Sequence, residues 1–188
     1  MNRQKRNKGE YAYPAYEKKR VILRTVIYFA ISLAVFLLGY LSTKTKENLL
    51  TIVAVLGLLP SCKSLVSVIM YLRIPQFSRE IYEEIAKHAG TVRIIYSMYL
   101  TSYKLNFPIN CFAVRGGNLI GYTEFASCDT DACEKHIKDM FSQNAIKGIT
   151  VKVFQEQRKF MDRLSQLEAL DEGTKENEIL TLLCDISL

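Results

Sequence analysis

The stretch Leu49–Leu72 reads LLTIVAVLGLLPSCKSLVSVIMYL, 24 residues with a single charge, Lys63. An α-helix rises ~1.5 Å per residue, so about 20 apolar residues cross a hydrocarbon core of ~30 Å. A helix that is apolar on every side has no solvated face and needs either a large protein core or a bilayer around it. A second such stretch, Val21–Leu41, carries only Arg24, and the short link Ser42–Asn48 joins the two. The pattern predicts a two-helix transmembrane hairpin within residues 21–75, with spans 21–41 and 49–72.

Charge sets the expected orientation. Residues 1–24 hold eight Lys/Arg against Glu10 and Glu17, which accounts for the whole formal net charge of +6. The basic and acidic residues that follow cancel, so the excess belongs to the N-terminal arm and does not point to a nucleic-acid partner. Residues 1–20 are expected to form a disordered basic arm. Arg3, Lys5, Arg6, Lys8, Lys18, Lys19 and Arg20 are its candidate contacts with anionic lipid, each worth about 1 kcal/mol near such a surface. The link offers only Lys44 and Lys46, beside Glu47. The positive-inside bias therefore places the N-terminus in the cytosol, and two spans return the C-terminal part to the same side.

The second span has two different faces. At 100° per residue, Ala54, Gly57, Ser61 and Ser64 share one side, and small residues so spaced let helix backbones approach. Ala30 and Ala34 are the expected small-residue match on the first span. Pro60 lacks an N–H and predicts a kink, with Ser61 or Ser64 bonding the freed carbonyl. Lys63 lies on the opposite side, with no acid in either span to pair with it. A lysine at mid-membrane costs at least ~2.5 kcal/mol on insertion scales. Lys63, Pro60, Ser61 and Ser64 are therefore the candidate intramembrane site. Two uses of Lys63 stay open: snorkelling, or contact with a lipid phosphate, a partner helix or a water-filled crevice.

From residue 76 the pattern is that of a soluble domain. Phe77, Ile81, Ile85 and Ala89 recur at helical spacing before Gly90. Val92, Ile94, Tyr96, Met98 and Leu100 alternate, which predicts a strand with these five on one face. Ile109–Val114 and Leu119–Phe125 flank Gly116-Gly117, a hairpin turn. Asp129, Thr130 and Asp131 open a helix to about Asn144. A fourth strand follows at Ile149–Val153, then a helix through Leu170 and a short last one. The expected fold is α+β, in the order α-β-β-β-α-β-α-α, with 76–188 as the cytosolic domain.

That order, over residues 78–154, resembles the core of the PD-(D/E)xK nuclease-like fold. The resemblance implies metal-assisted hydrolysis by a carboxylate on the second strand and an E-x-K on the third. Here the second strand carries Asn110, and the third reads Tyr122-Thr-Glu124-Phe-Ala126 without a lysine, which argues against an active nuclease. Glu83 or Glu84 is the expected neighbour of Glu124. Cys128, Cys133 and His136 form C-x4-C-x2-H, which matches no established zinc spacing. A helix N-terminus near Cys133 would lower its pKa, and His136 lies one turn away.

The sequence thus leads to a membrane-anchored cytosolic binding or tethering module, or a subunit of a membrane complex. It would need no metal or other cofactor. Its partners would be anionic lipid and either another protein or a second copy of the chain. The alternative is a membrane-tethered hydrolase using Glu124, Cys133 or His136.

Overall fold

The computed structural model describes residues 7–45 and 49–188. The chain divides into two units: Pro14–Ile74, and the residues before it together with Pro75–Leu188.

The first unit is a pair of antiparallel helices, α1 (Tyr13–Thr43) and α2 (Leu49–Leu72). Both are long and apolar enough to cross a membrane, and only 17% and 22% of their most apolar windows are buried. Helix α1 starts well ahead of Val21, which corrects the expectation of a disordered arm to residue 20. Proline is tolerated in a first helical turn, and Pro14 is followed by Ala15, Glu17, Lys18, Lys19 and Arg20, all good helix formers. The apolar helix supplies the nucleus, so these residues extend it cheaply. Glu17 and Arg20 form an ion pair at 3.6 Å on this turn. Arg3, Lys5, Arg6 and Lys46 lie outside the described residues.

The second unit is an α+β domain with the expected order: α3 (Arg79–Lys87), β1 (Arg93–Thr101), β2 (Asn106–Arg115), β3 (Asn118–Tyr122), α4 (Thr130–Gln143), β4 (Thr150–Phe154), α5 (Gln157–Glu168) and α6 (Glu176–Asp185). The sheet runs β1-β2-β3-β4, with the first two pairings antiparallel and β3–β4 parallel. The return through α4 is what allows the parallel pairing. Gly116 and Gly117 turn the β2–β3 hairpin with φ of +56° and +74°, the left-handed pair that such a tight turn requires. Asp129 caps α4, its carboxylate accepting from the Ala132 N–H at 2.9 Å.

Two apolar layers hold the sheet. On one face Phe107, Ile109, Phe112 and Leu119 pack with Cys133, Ile137 and Phe141 of α4 and with Ile179 and Leu183 of α6. On the other, Cys111, Ala113 and Ile120 pack with Ile85 of α3 and with Phe160, Leu164 and Leu167 of α5. Strand β1 does not keep one face, as its alternation predicts. Val92, Ile94 and Tyr96 meet the α3/α5 layer, whereas Met98 and Leu100 meet the α4/α6 layer. Ser97 lies between them with φ +54°, and a left-handed residue in a strand reverses the phase of the pleat. Strand β2 changes phase opposite it, between Ile109 and Cys111.

The residues preceding α1 belong to this domain. The Tyr96 N–H donates to the Gly9 carbonyl at 2.7 Å, and the Ala12 N–H to Ser97 Oγ at 3.1 Å. Lys8 Nζ donates to the Ser187 and Cys184 carbonyls at 2.9 and 3.2 Å, the negative end of α6. From the C-terminal end of the chain, the Leu188 N–H donates to the Tyr99 carbonyl at 3.0 Å. Both ends of the chain thus cover the β1 edge, which would otherwise be open to pairing with other chains.

Phe160 is fully buried and Tyr103 fully exposed. Phe160→Ala is expected to lower the stability of the domain by about 3–5 kcal/mol, and Tyr103→Ala to change it by less than about 0.5 kcal/mol. Denaturant unfolding of the full chain in detergent micelles, followed by near-UV circular dichroism, measures both.

Candidate functional site

The fold does bring together the two positions that the nuclease resemblance singles out. Asn110 on β2 and Glu124 after β3 exchange two hydrogen bonds: Asn110 Nδ2 donates to Glu124 Oε1 at 2.6 Å, and the Glu124 N–H to Asn110 Oδ1 at 2.9 Å. The same Oε1 accepts from the Ser78 N–H at 2.9 Å, at the N-cap of α3. Glu124 therefore ties the start of α3 to the sheet. The expected second carboxylate does not join it. Glu83 holds Arg79 at 2.7 Å, and Glu84 accepts from Gln157 Nε2 at 2.6 Å. No group of three or more His, Cys, Asp or Glu side chains that could hold a metal ion occurs among the described residues.

The Cys128–Cys133–His136 cluster lies in the α4/α6 layer. Cys133 is wholly buried, and burial pushes its thiol well above the ordinary 9.0. This overturns the expectation of a lowered pKa. The helix N-terminus favours a thiolate, but desolvation acts on the charged form and outweighs it. Burial raises the Cys128 thiol too. His136 is half-buried beside Phe107, ring centroids 5.8 Å apart, and desolvation lowers its pKa. A thiol so enclosed and held protonated is poorly placed for nucleophilic attack.

In the helical hairpin, Ala54, Ser61 and Ser64 are buried and face α1. Gly57 packs closest: a Cβ added there would meet Ser32 Oγ at 2.9 Å. Ser64 Oγ and Thr25 Oγ1 share a hydrogen bond of 2.6 Å across the seam. The matching residues on α1 are Thr25, Ser32 and Gly39, all buried, and not Ala30 and Ala34, which are exposed. The seven-residue spacing of 25, 32 and 39 keeps one stripe against a partner helix, whereas position 30 lies about 140° around from Thr25. Ser61 Oγ donates to the Gly57 carbonyl at 3.1 Å, not to the Leu56 carbonyl that Pro60 leaves without its helical N–H. Lys63 is exposed, and among the described residues it has no ion pair.

Two features of the domain carry no signal in the sequence pattern. Glu176 is buried, accepting from the Gly173 and Gly116 N–H groups at 2.8 and 3.2 Å, with Arg93 at 3.7 Å. The second is a groove of about 570 Å³ where the pre-helix segment meets α3 and β1, lined by Gly9, Tyr11, Arg79, Tyr82, Glu83 and Tyr96. Tyr11 stacks on Tyr82 at 4.3 Å, and Tyr82 meets Tyr96 edge-on at 4.8 Å. The Tyr11 hydroxyl donates to the Phe77 carbonyl at 3.1 Å.

Comparison of the chain with known protein families, with curated proteins and with solved structures finds no match.

The thiols give a direct check. Cys111 and Cys133 are wholly buried, and burial raises both thiols above 9.0. A group with a raised folded pKa stabilises the fold below its unfolded pKa, and the contribution is lost as pH rises. Stability of the domain is expected to fall as pH rises above about 9. Cys111→Ala with Cys133→Ala should flatten that fall. At pH 8 neither thiol should react with a water-soluble disulfide reagent until the domain is unfolded.

Proposed function

We propose that the chain is a membrane anchor carrying a binding module at the inner membrane surface, where it holds a partner protein or a second copy of itself. The observation that carries this reading is the exposure of the hairpin. Leu23, Ile31, Leu41, Leu49, Leu56 and Leu59 are among its many exposed large apolar side chains. A soluble monomer rarely shows an apolar patch above a few hundred Å². Long apolar helices satisfy nearly all of their backbone groups within themselves, as a bilayer requires.

The reading also places both ends of the hairpin on one side of the membrane. The residues before α1 and those after α2 belong to the same folded domain, through Lys8, Gly9 and Ala12. The eight basic residues of 1–24 put that side in the cytosol, against anionic lipid. A binding role agrees with the chemistry of the domain. Glu124 is engaged in holding α3, and Cys133 is enclosed. The tyrosine groove, with Arg79 at its rim, is the face best suited to a protein partner, because tyrosine and arginine are enriched at such interfaces.

Cysteines introduced by Ser42→Cys and Tyr103→Cys, each in a Cys62→Ser, Cys184→Ser background that leaves only the buried Cys111, Cys128 and Cys133, test the topology. In intact cells an impermeant maleimide should label position 42 and reach position 103 only after permeabilisation. Alkaline carbonate should leave the chain in the membrane fraction. Release by carbonate, or labelling of position 103 from outside, would overturn the reading.

A further inference from the structure

Lys63 is the single charge of α2, and it faces away from the helix seam. At 100° per residue it lies ~100° or more from Ala54, Ser61 and Ser64, which are buried against α1, and within ~60° of Leu56, Leu59, Val66 and Met70, which are exposed. Lys63 is exposed with them, and among the described residues it has no ion pair. The hairpin cannot supply the counter-charge, because neither Val21–Leu41 nor α2 contains an aspartate or a glutamate. Nor does it offer water. The groove between its helices is lined by apolar side chains such as Val26, Phe29, Val55 and Leu58, and Lys63 is not among them.

Depth closes the remaining escape. From Lys63 to Leu72, the nearer end of α2, the helix rises ~14 Å, and back to Leu49 it rises ~21 Å. The exposed Leu65, Ile69 and Leu72 keep the shorter of these lengths in hydrocarbon. Helical side chains lean toward their own N-terminus, so the Lys63 ammonium is carried toward the link and away from that nearer end. Its four-carbon stem therefore leaves the charge near the middle of the span, short of either surface. Arg24 is placed differently. It lies in the first turn of Val21–Leu41 and leans toward the basic start of α1, so it reaches the headgroups by snorkelling.

Resting on the membrane-anchor reading, we infer that the Lys63 face of α2 docks a transmembrane helix of a different protein, one that carries an aspartate or glutamate near the middle of its span. A lone charge at mid-membrane is costly, and such residues pair with one another inside helix bundles. A carboxylate meets the ammonium through a charge-assisted hydrogen bond, in a medium where water does not compete. A neutral residue on the partner cannot cancel the charge. A second copy of the chain cannot either. Its spans hold only Arg24 and Lys63 as charges, and a parallel copy would set Lys63 against Lys63 at one depth. The exposed Leu56, Leu59, Val66 and Met70 supply the apolar packing around the pair. Of the two occupants named for the anchor, this face takes the partner protein.

The test is fluorescence energy transfer in phosphatidylcholine liposomes between the full chain and a synthetic leucine–alanine transmembrane peptide. The chain is labelled through Ser42→Cys in a Cys62→Ser, Cys184→Ser background. The peptide carries Asp, Asn, Lys or Leu at its centre, so that residue sits at mid-depth in either orientation. The chain with Lys63 should bind the Asp peptide roughly tenfold more tightly than the Asn or Leu peptide. Lys63→Leu should remove that preference, and Lys63→Asp should transfer it to the Lys peptide. Arg24→Gln should leave it unchanged. Self-association, read with donor- and acceptor-labelled copies of the chain, should not fall in Lys63→Leu. Equal binding of the Asp and Leu peptides, a preference that survives Lys63→Leu, or self-association that depends on Lys63 would overturn the inference. Carbonate extraction of the same forms separates the two claims. If the chain resists carbonate and shows no preference for the Asp peptide, the docking face fails and the anchor stands. If carbonate releases the chain with Lys63 intact, the anchor fails.

Discussion

A hydroxyl buried between two apolar helices has no water to turn to, so it must bond within the protein. Thr25 and Ser64 do this for each other across the helix seam at 2.6 Å, and Thr25 also reaches the Val21 carbonyl at 2.8 Å. On the link side of that bond the seam is built of small residues, with Ser32 against Gly57 and with Gly39 and Ala54 also buried, so the backbones approach closely there; on the other side the buried residues are the larger Val21 and Tyr71. Once the register is set, the level of each side chain on one helix relative to the other follows.

The domain uses its polar groups in the same economical manner. Glu124 bonds Asn110 and the first turn of α3. Glu134 is buried on α4 and accepts from the Val153 N–H at 3.0 Å, with Lys152 at 3.0 Å. It thereby covers the outer edge of β4, as Gly9 and Leu188 cover that of β1. With the β1 edge bonded by both segments and one donor of the β4 edge engaged by Glu134, the sheet has less tendency to recruit strands from other chains. Recognition would then fall to side chains, and the tyrosine groove beside β1 offers them.

Much of this was legible in the sequence, for identifiable reasons. The bounds of α2 coincide with an unbroken apolar run, and the strands follow from alternation in stretches such as Ile149–Val153. Gly116-Gly117 marks the hairpin because few other residues accept that turn. The α2 side of the seam was legible because Ala54, Gly57, Ser61 and Ser64 are its only run of small residues on one face. The α1 side was not: Ala30 and Ala34 are as small as Ser32 and Gly39, and only the facing helix selects between them. Ser97 was illegible for a similar reason. Its left-handed backbone is held from outside the strand, by the Ala12 N–H on its hydroxyl. No local pattern records a contact between residues 85 positions apart. The fate of Cys133 was misread because the helix terminus is visible in sequence and the depth of burial is not.

The register of α1 against α2 is the claim on which the rest turns, and it can be measured in a bilayer. A Cβ built on Gly57 lies 3.8 Å from the Ser32 Cβ, and disulfides form at Cβ separations of about 3.8 Å. The chain with Ser32→Cys, Gly57→Cys and Cys62→Ser, reconstituted in liposomes and oxidised, should form an intrachain disulfide in most molecules. Ala30→Cys in place of Ser32→Cys should leave both thiols free. Efficient bridging from position 30, with none from position 32, would contradict the register.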